Sequence, residues 1–171
     1  MAEEPQKKNP LGPTGKTVAD NIRRLRGDMQ YVKLAERLAE IGRPIPTLGL
    51  RKIENCDRRV DADDLVALAV ALEVSPETLL MPYAENADDE VCITGWHPTY
   101  ASEIWRWMQT DISLGWSDRP DISAERALPP FVYRKLMEEK AARLPELKAE
   151  FEKRKRAHAK QHGEVSDGDD Q

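Results

Sequence analysis

Apolar residues return every three or four positions through residues 17–80, with polar ones between them. Val18, Ile22 and Leu25 fall on one helical face, as do Leu34, Leu38 and Ile41, and then Leu65, Leu68, Ala69 and Leu72. A spacing near 3.6 marks helices that each turn one side to a core. Caps and breakers divide this stretch into five. The first is expected to open at Thr17, whose hydroxyl takes a free amide while Asp20 reaches back in a capping box, and to run to about Gly27. The second spans roughly 31–41 and stops at "GRPIP", where the prolines cannot continue a helix. The third covers 46–54, with Pro46 in its first turn and Leu50 and Ile53 pointing inward. Asp61 caps the fourth, acids occupy its first turn, Ser75 caps the fifth and Pro76 takes that helix's first position. The alternation that marks strands is missing. The fold class expected is all-α: a flexible leader at 1–16, then a five-helix domain over 17–82.

An acidic linker is expected at 83–94, a smaller helical region at 95–160 and a disordered acidic tail at 161–171. Within 95–160, Tyr100, Ile104, Trp107 and Met108 share a helical face, so the tryptophans Trp105 and Trp107 read as core or interface. "SLGWSDRPDISAE" reads as loop. A long charged helical run from Leu128 to about 160 is expected to be interrupted at Leu144-Pro145. Met137, Leu144, Leu147 and Phe151 recur at seven, three and four, but Lys140 and Pro145 spoil a sustained heptad, which excludes a long coiled coil.

Composition narrows the function classes. With 171 residues and 40% apolar content the chain can bury a core, and it has no apolar run long enough for a membrane span. The opening "MAEEPQKKNPLGP" lacks the apolar stretch of a signal peptide, and Cys56 and Cys92 have neither CxxC nor metal spacing. A cytoplasmic protein with free thiols is the expectation. Net charge is −5, but it is unevenly spread: residues 14–60 carry 11 Lys/Arg against 6 Asp/Glu, whereas 61–103 carry 10 acids and no base. Such separation gives an oriented field, and orientation counts for more than the sum.

Catalytic readings find little to stand on. Gly15-Lys16-Thr17 ends like a phosphate-binding loop, but the required first glycine is Pro10, which has no N–H, and no strand precedes it. No nucleophile–base pair or metal set is evident. His158 and His162 lie four apart without a third ligand. Neither a cofactor nor enzymatic activity is expected.

Three motifs carry a more specific reading: "KLAERL" in the second helix, "LGLRKIEN" in the third, and "RRVDADDLVALAVALEVSPETLL" across the fourth and fifth. With them, residues 17–80 resemble the helix-turn-helix domain of the Cro/repressor (XRE-like) family of bacterial and bacteriophage transcription regulators. The resemblance implies a sequence-specific double-stranded DNA-binding regulator, a repressor that occludes polymerase, with helix 46–54 in the major groove and the 61–103 acids pointing away from the duplex. It leaves Thr47, Leu48, Gly49, Arg51 and Lys52 available to bases. Lys52 can donate to guanine O6/N7, Thr47 can bond a base or touch a thymine methyl, and Leu48 offers apolar contact. Tyr31, Arg43, Asn55, Arg58 and Arg59 match the family's phosphate clamps. Three departures stand out. Gln30-Tyr31 replaces the usual Thr/Ser-Gln, about five extra residues lie between Ala35 and Glu54, and Cys56 takes the usual glycine position after the third helix.

One short recognition helix reads only a few base pairs, so a second contact is expected. Either a homodimer forms through residues 95–160 on an inverted repeat, or a monomer grips adjacent DNA through Arg134, Lys135, Lys153 and Arg154. A reading of another class is a protein–protein adaptor or antitoxin-like module acting through 95–160.

Overall fold

The computed structural model describes residues 10–110, 112–114 and 125–163, with backbone alone at 147 and 156–163. The chain is mostly helical, 62% helix and 3% strand, which agrees with the expected all-α class. It divides into two compact units, Met1–Trp116 and Ser117–Gln171.

The first unit holds helices α1 (Pro13–Arg26), α2 (Tyr31–Glu40), α3 (Thr47–Glu54), α4 (Ala62–Ala71) and α5 (Pro76–Leu80). Their apolar faces meet in one core in which Ile22, Leu34, Leu38, Leu50, Ile53, Leu68 and Leu79 are fully buried. Each such side chain contributes about 1.5–3 kcal/mol by leaving water. The helix ends are satisfied by named groups. The Asp61 carboxylate accepts from the Asp64 amide and the Ser75 hydroxyl from Thr78, as the sequence predicts. Buried Asn21 donates to the carbonyls of Leu79 in α5 and Met81 just after it, and Arg37 donates to the Ala71 carbonyl at the end of α4.

The first helix starts earlier than expected. Gly12 is its N-cap residue and Pro13 its first position, so Thr17 lies inside the helix and the Thr17–Asp20 capping box does not form. Proline at the first position loses no helical hydrogen bond and is set at the right φ. Tertiary bonds fix the same start. Thr14 and Thr94 exchange hydrogen bonds, amide to hydroxyl in both directions, at 3.3 and 2.9 Å. Residues 10–16 are therefore packed rather than a flexible leader, while 1–9 lie outside the described residues. Pro46 is likewise the N-cap residue of α3, one position before the expected first turn.

The segment 83–94 is built in, not a linker. Its strand β1 (Glu90–Val91) pairs antiparallel with β2 (Thr99–Tyr100), Glu90 opposite Tyr100. The Asp89 carboxylate gathers the amides of Glu85 and Asn86, and these bonds hold it below the ordinary carboxylate range. Val91 and Ile93 bury against Ala101 and Ile104 of α6 (Ala101–Met108), with Met81 alongside. The buried face of α6 is thus 101, 104 and 108. Tyr100, Trp105 and Trp107 are exposed, contrary to the face predicted for Tyr100 and Trp107 and to the core reading of the tryptophans. Ala101 and Ile104 face Val91 and Ile93 instead.

The second unit contains α7 (Pro130–Gly163), which continues through Pro145 where an interruption was expected. Proline removes one helical bond, to the carbonyl four residues back, which here is that of exposed Ala141. Phe131, Met137, Leu144 and Phe151 are exposed on α7. The Leu147 side chain, the side chains of His158 and His162, and residues 115–124 and 164–171 lie outside the described residues. Among the described residues no helix is long and apolar enough to cross a membrane.

Candidate nucleic-acid interface

Anchored by Leu50 and Ile53, α3 turns Leu48, Arg51, Lys52 and Asn55 outward, with Thr47 and Gly49 partly covered. Leu48 is 62% exposed. Lys52 has no partner among the described residues, and α3 turns no acid outward, because its one acid, Glu54, points inward. Such a surface can donate hydrogen bonds and offer one apolar contact, the combination that base edges accept.

Behind this face, Glu54 is the centre of a buried network. Arg26 donates to both of its oxygens, at 2.7 and 3.0 Å, and the Tyr31 hydroxyl donates to Oε2 at 2.7 Å. Burial alone would raise the Glu54 carboxyl, but the bonds from Arg26 and Tyr31 and the charges of Arg26 and Arg23 outweigh it and hold the group below its ordinary 4.5. Tyr31 is pushed above its ordinary 10, first by its bond to Glu54 and then by burial. Two guanidiniums stand over its ring, Arg26 at 4.2 Å and Arg51 at 5.2 Å from the centroid. The expected donation from Tyr31 to a phosphate is therefore corrected: its one proton is on Glu54. Arg51 keeps its exposure while stacked on Tyr31.

The turn after α3 is held by the Cys56 amide to the Ile53 carbonyl and the Asp57 amide to that of Lys52. This is a Schellman closure with Cys56 in the left-handed region at φ 60°, so the usual glycine geometry persists without the glycine. Gly42 closes α2 in the same way at φ 80° and delivers Arg43. Both turns lead to one carboxylate. Asp64 is buried, and its Oδ1 accepts from Arg43 Nε at 2.8 Å while its Oδ2 accepts from Arg58 Nη2 at 2.7 Å. Arg43 also bonds Asp61 at 3.2 Å and faces Asp63 at 3.8 Å. The acids at the start of α4 are therefore beside the expected clamps, not directed away from them, since paired guanidiniums offset the cost of burying Asp64.

Arg59 donates to the Pro10 carbonyl. Asn55 accepts from Arg23 at 3.5 Å, and Arg23, half-exposed, also donates to the Glu54 carbonyl. Arg23, Arg26 and Asp64 were not singled out from sequence. Glu54, at the end of α3, is the signal for the two arginines, since a buried acid needs a cation, but it gives none for Asp64. In the second unit Arg134, Lys135, Lys153 and Arg154 are exposed along α7, with Arg154 paired to Glu150 at 2.9 Å.

No family model matches this chain, and no match was found among curated proteins or solved structures.

Proposed function

We propose that the chain is a cytoplasmic, sequence-specific double-stranded DNA-binding regulator of the helix-turn-helix type, a repressor without catalytic activity, that reads the major groove with α3. One observation carries this reading: the outward face of α3 combines Leu48, Arg51, Lys52 and Asn55 with no acid, on a helix braced from behind by Glu54. Base contacts fall to Thr47, Leu48, Arg51 and Lys52, and phosphate contacts to Asn55, Arg58 and Arg59. The exposure of Tyr100, Trp105 and Trp107 supports a homodimer formed through residues 95–160. Selection from a pool of random duplexes followed by gel shift at physiological salt tests the reading. An enriched sequence is expected, and binding without preference, or none, overturns it. Light scattering should return twice the chain mass. A monomer with an extended, asymmetric footprint would instead favour the second contact through α7.

The same exposed tryptophans favour a second reading, a protein-binding adaptor acting through 95–160. It predicts no duplex binding, and loss of partner capture in W105S/W107S.

A further inference from the structure

Gly49 sits in the first turn of α3, where a side chain would point at Arg58, Ile45 and Pro46. A Cβ built there would lie 2.7 Å from Arg58 Nη1 and 3.1 Å from Ile45 Cγ2. The space a side chain would fill is taken by the guanidinium of Arg58, brought in from the turn that follows the helix. Asp64 holds it there. Each oxygen of this nearly buried carboxylate takes one guanidinium, Arg58 at 2.7 Å and Arg43 at 2.8 Å. The two arginines are not equivalent. Arg43 turns Nε to Asp64, Nη2 to Asp61 and Nη1 toward Asp63, so all three nitrogens face carboxylates. Among the described residues the Arg58 guanidinium is bonded to Asp64 alone, its side chain still 39% exposed, with Nη1 resting on α3.

From this geometry we infer that Arg58 supplies the phosphate contact at the first turn of α3, that Asp64 is its positioning residue, and that Gly49 is its seat and not a reader of bases. Arg43 is a strut that holds the Asp64 carboxylate in place. The inference rests on the DNA-binding reading above and deepens it. An arginine ordered before binding gives up no rotamer freedom when the duplex arrives, whereas a loose one does. A guanidinium with one edge on a carboxylate retains N–H groups for a phosphate oxygen.

The test is a salt titration of the full chain, and of G49A, R58A and G49A/R58A, on labelled mixed-sequence duplex by fluorescence anisotropy. G49A and R58A should each weaken binding about tenfold and lower the log–log salt slope by about one unit. The double variant should lose no more salt slope than R58A alone, because the slope reports the displaced Arg58 and not the small adjustment that Ile45 makes to alanine at 49. D64N, read the same way, should show the slope loss of R58A and carries the test if G49A does not fold. Slope losses that add in the double variant, a full slope in D64N, or a G49A effect confined to one base pair of a selected site would overturn the inference while leaving the DNA-binding reading intact. Absence of duplex binding by the unsubstituted chain would remove that reading, and this inference with it.

Discussion

Arg26 grips both carboxylate oxygens of Glu54, at 2.7 and 3.0 Å, and so ties the last turn of α1 to the last turn of α3. Glu54 is 2% exposed and the Arg26 side chain 14%. Removing one partner strands the other charge away from water. Glu54→Ala should therefore destabilise the first unit by about 3–5 kcal/mol, and Arg26→Ala comparably. Urea unfolding followed by circular dichroism measures it; a loss below about 1 kcal/mol would mean that water reaches the pair.

The same network sets a pH window. Glu54 is depressed below 4.5, so its contribution is complete above that value and fades as pH falls through the lower, folded pKa. Tyr31 is raised above 10, so its contribution is present below 10 and fades as pH climbs through the higher, folded pKa. Melting temperature against pH should fall at both ends. Glu54→Gln should flatten the acid limb and shrink the alkaline one, because Glu54 is the main cause of the Tyr31 shift. Tyr31→Phe should remove the alkaline limb and only weaken the acid one, which Arg26 still supports.

Cys56 holds a left-handed conformation that costs an L-residue roughly 1–2 kcal/mol. Cys56→Gly removes that cost but adds backbone freedom to the unfolded chain. A net gain of about 0.5–1 kcal/mol is expected in the same urea experiment. A loss would show that the thiol's packing outweighs the backbone.

Lys52 is the unpartnered cation of the α3 face. Lys52→Ala should cost about 1–3 kcal/mol on the selected operator and relax selectivity at one base pair, with Arg51→Ala acting on another. Footprinting with single-position operator variants reads this directly. Unchanged selectivity in both would take base reading away from α3.

Local features proved legible in the sequence, and partnerships across the chain did not. Asp61 and Ser75 act as caps because a cap is a contact over three residues, which composition alone specifies. Leu50 and Ile53 anchor α3 as their spacing requires, so its outward residues follow. Thr17 misled because Gly12-Pro13 offers an equally valid start with its cap five residues earlier, and Thr94 decides between them from 80 residues away. Trp107 misled because the side of α6 that is buried is chosen by Val91 and Ile93, a partnership outside the helix that puts Ala101, Ile104 and Met108 inward. Arg43 and Arg58 read as cations for a ligand, yet they reach Asp64 from 21 and 6 residues away. Only the meeting of two helix-ending turns brings them together.

The exchange of hydrogen bonds between Thr14 and Thr94 also bears on the order in which the protein is made. Ribosomes add about 5–20 residues per second, so α1 leaves the ribosome roughly 4–16 seconds before Thr94 can meet it. Leu79, which completes the core around Ile22, arrives only shortly ahead. Through that interval the apolar side of α1 has no finished surface to rest on. A nascent chain stalled before residue 79 should thus expose Val18 and Ile22 to chaperones, and one released past residue 94 should not.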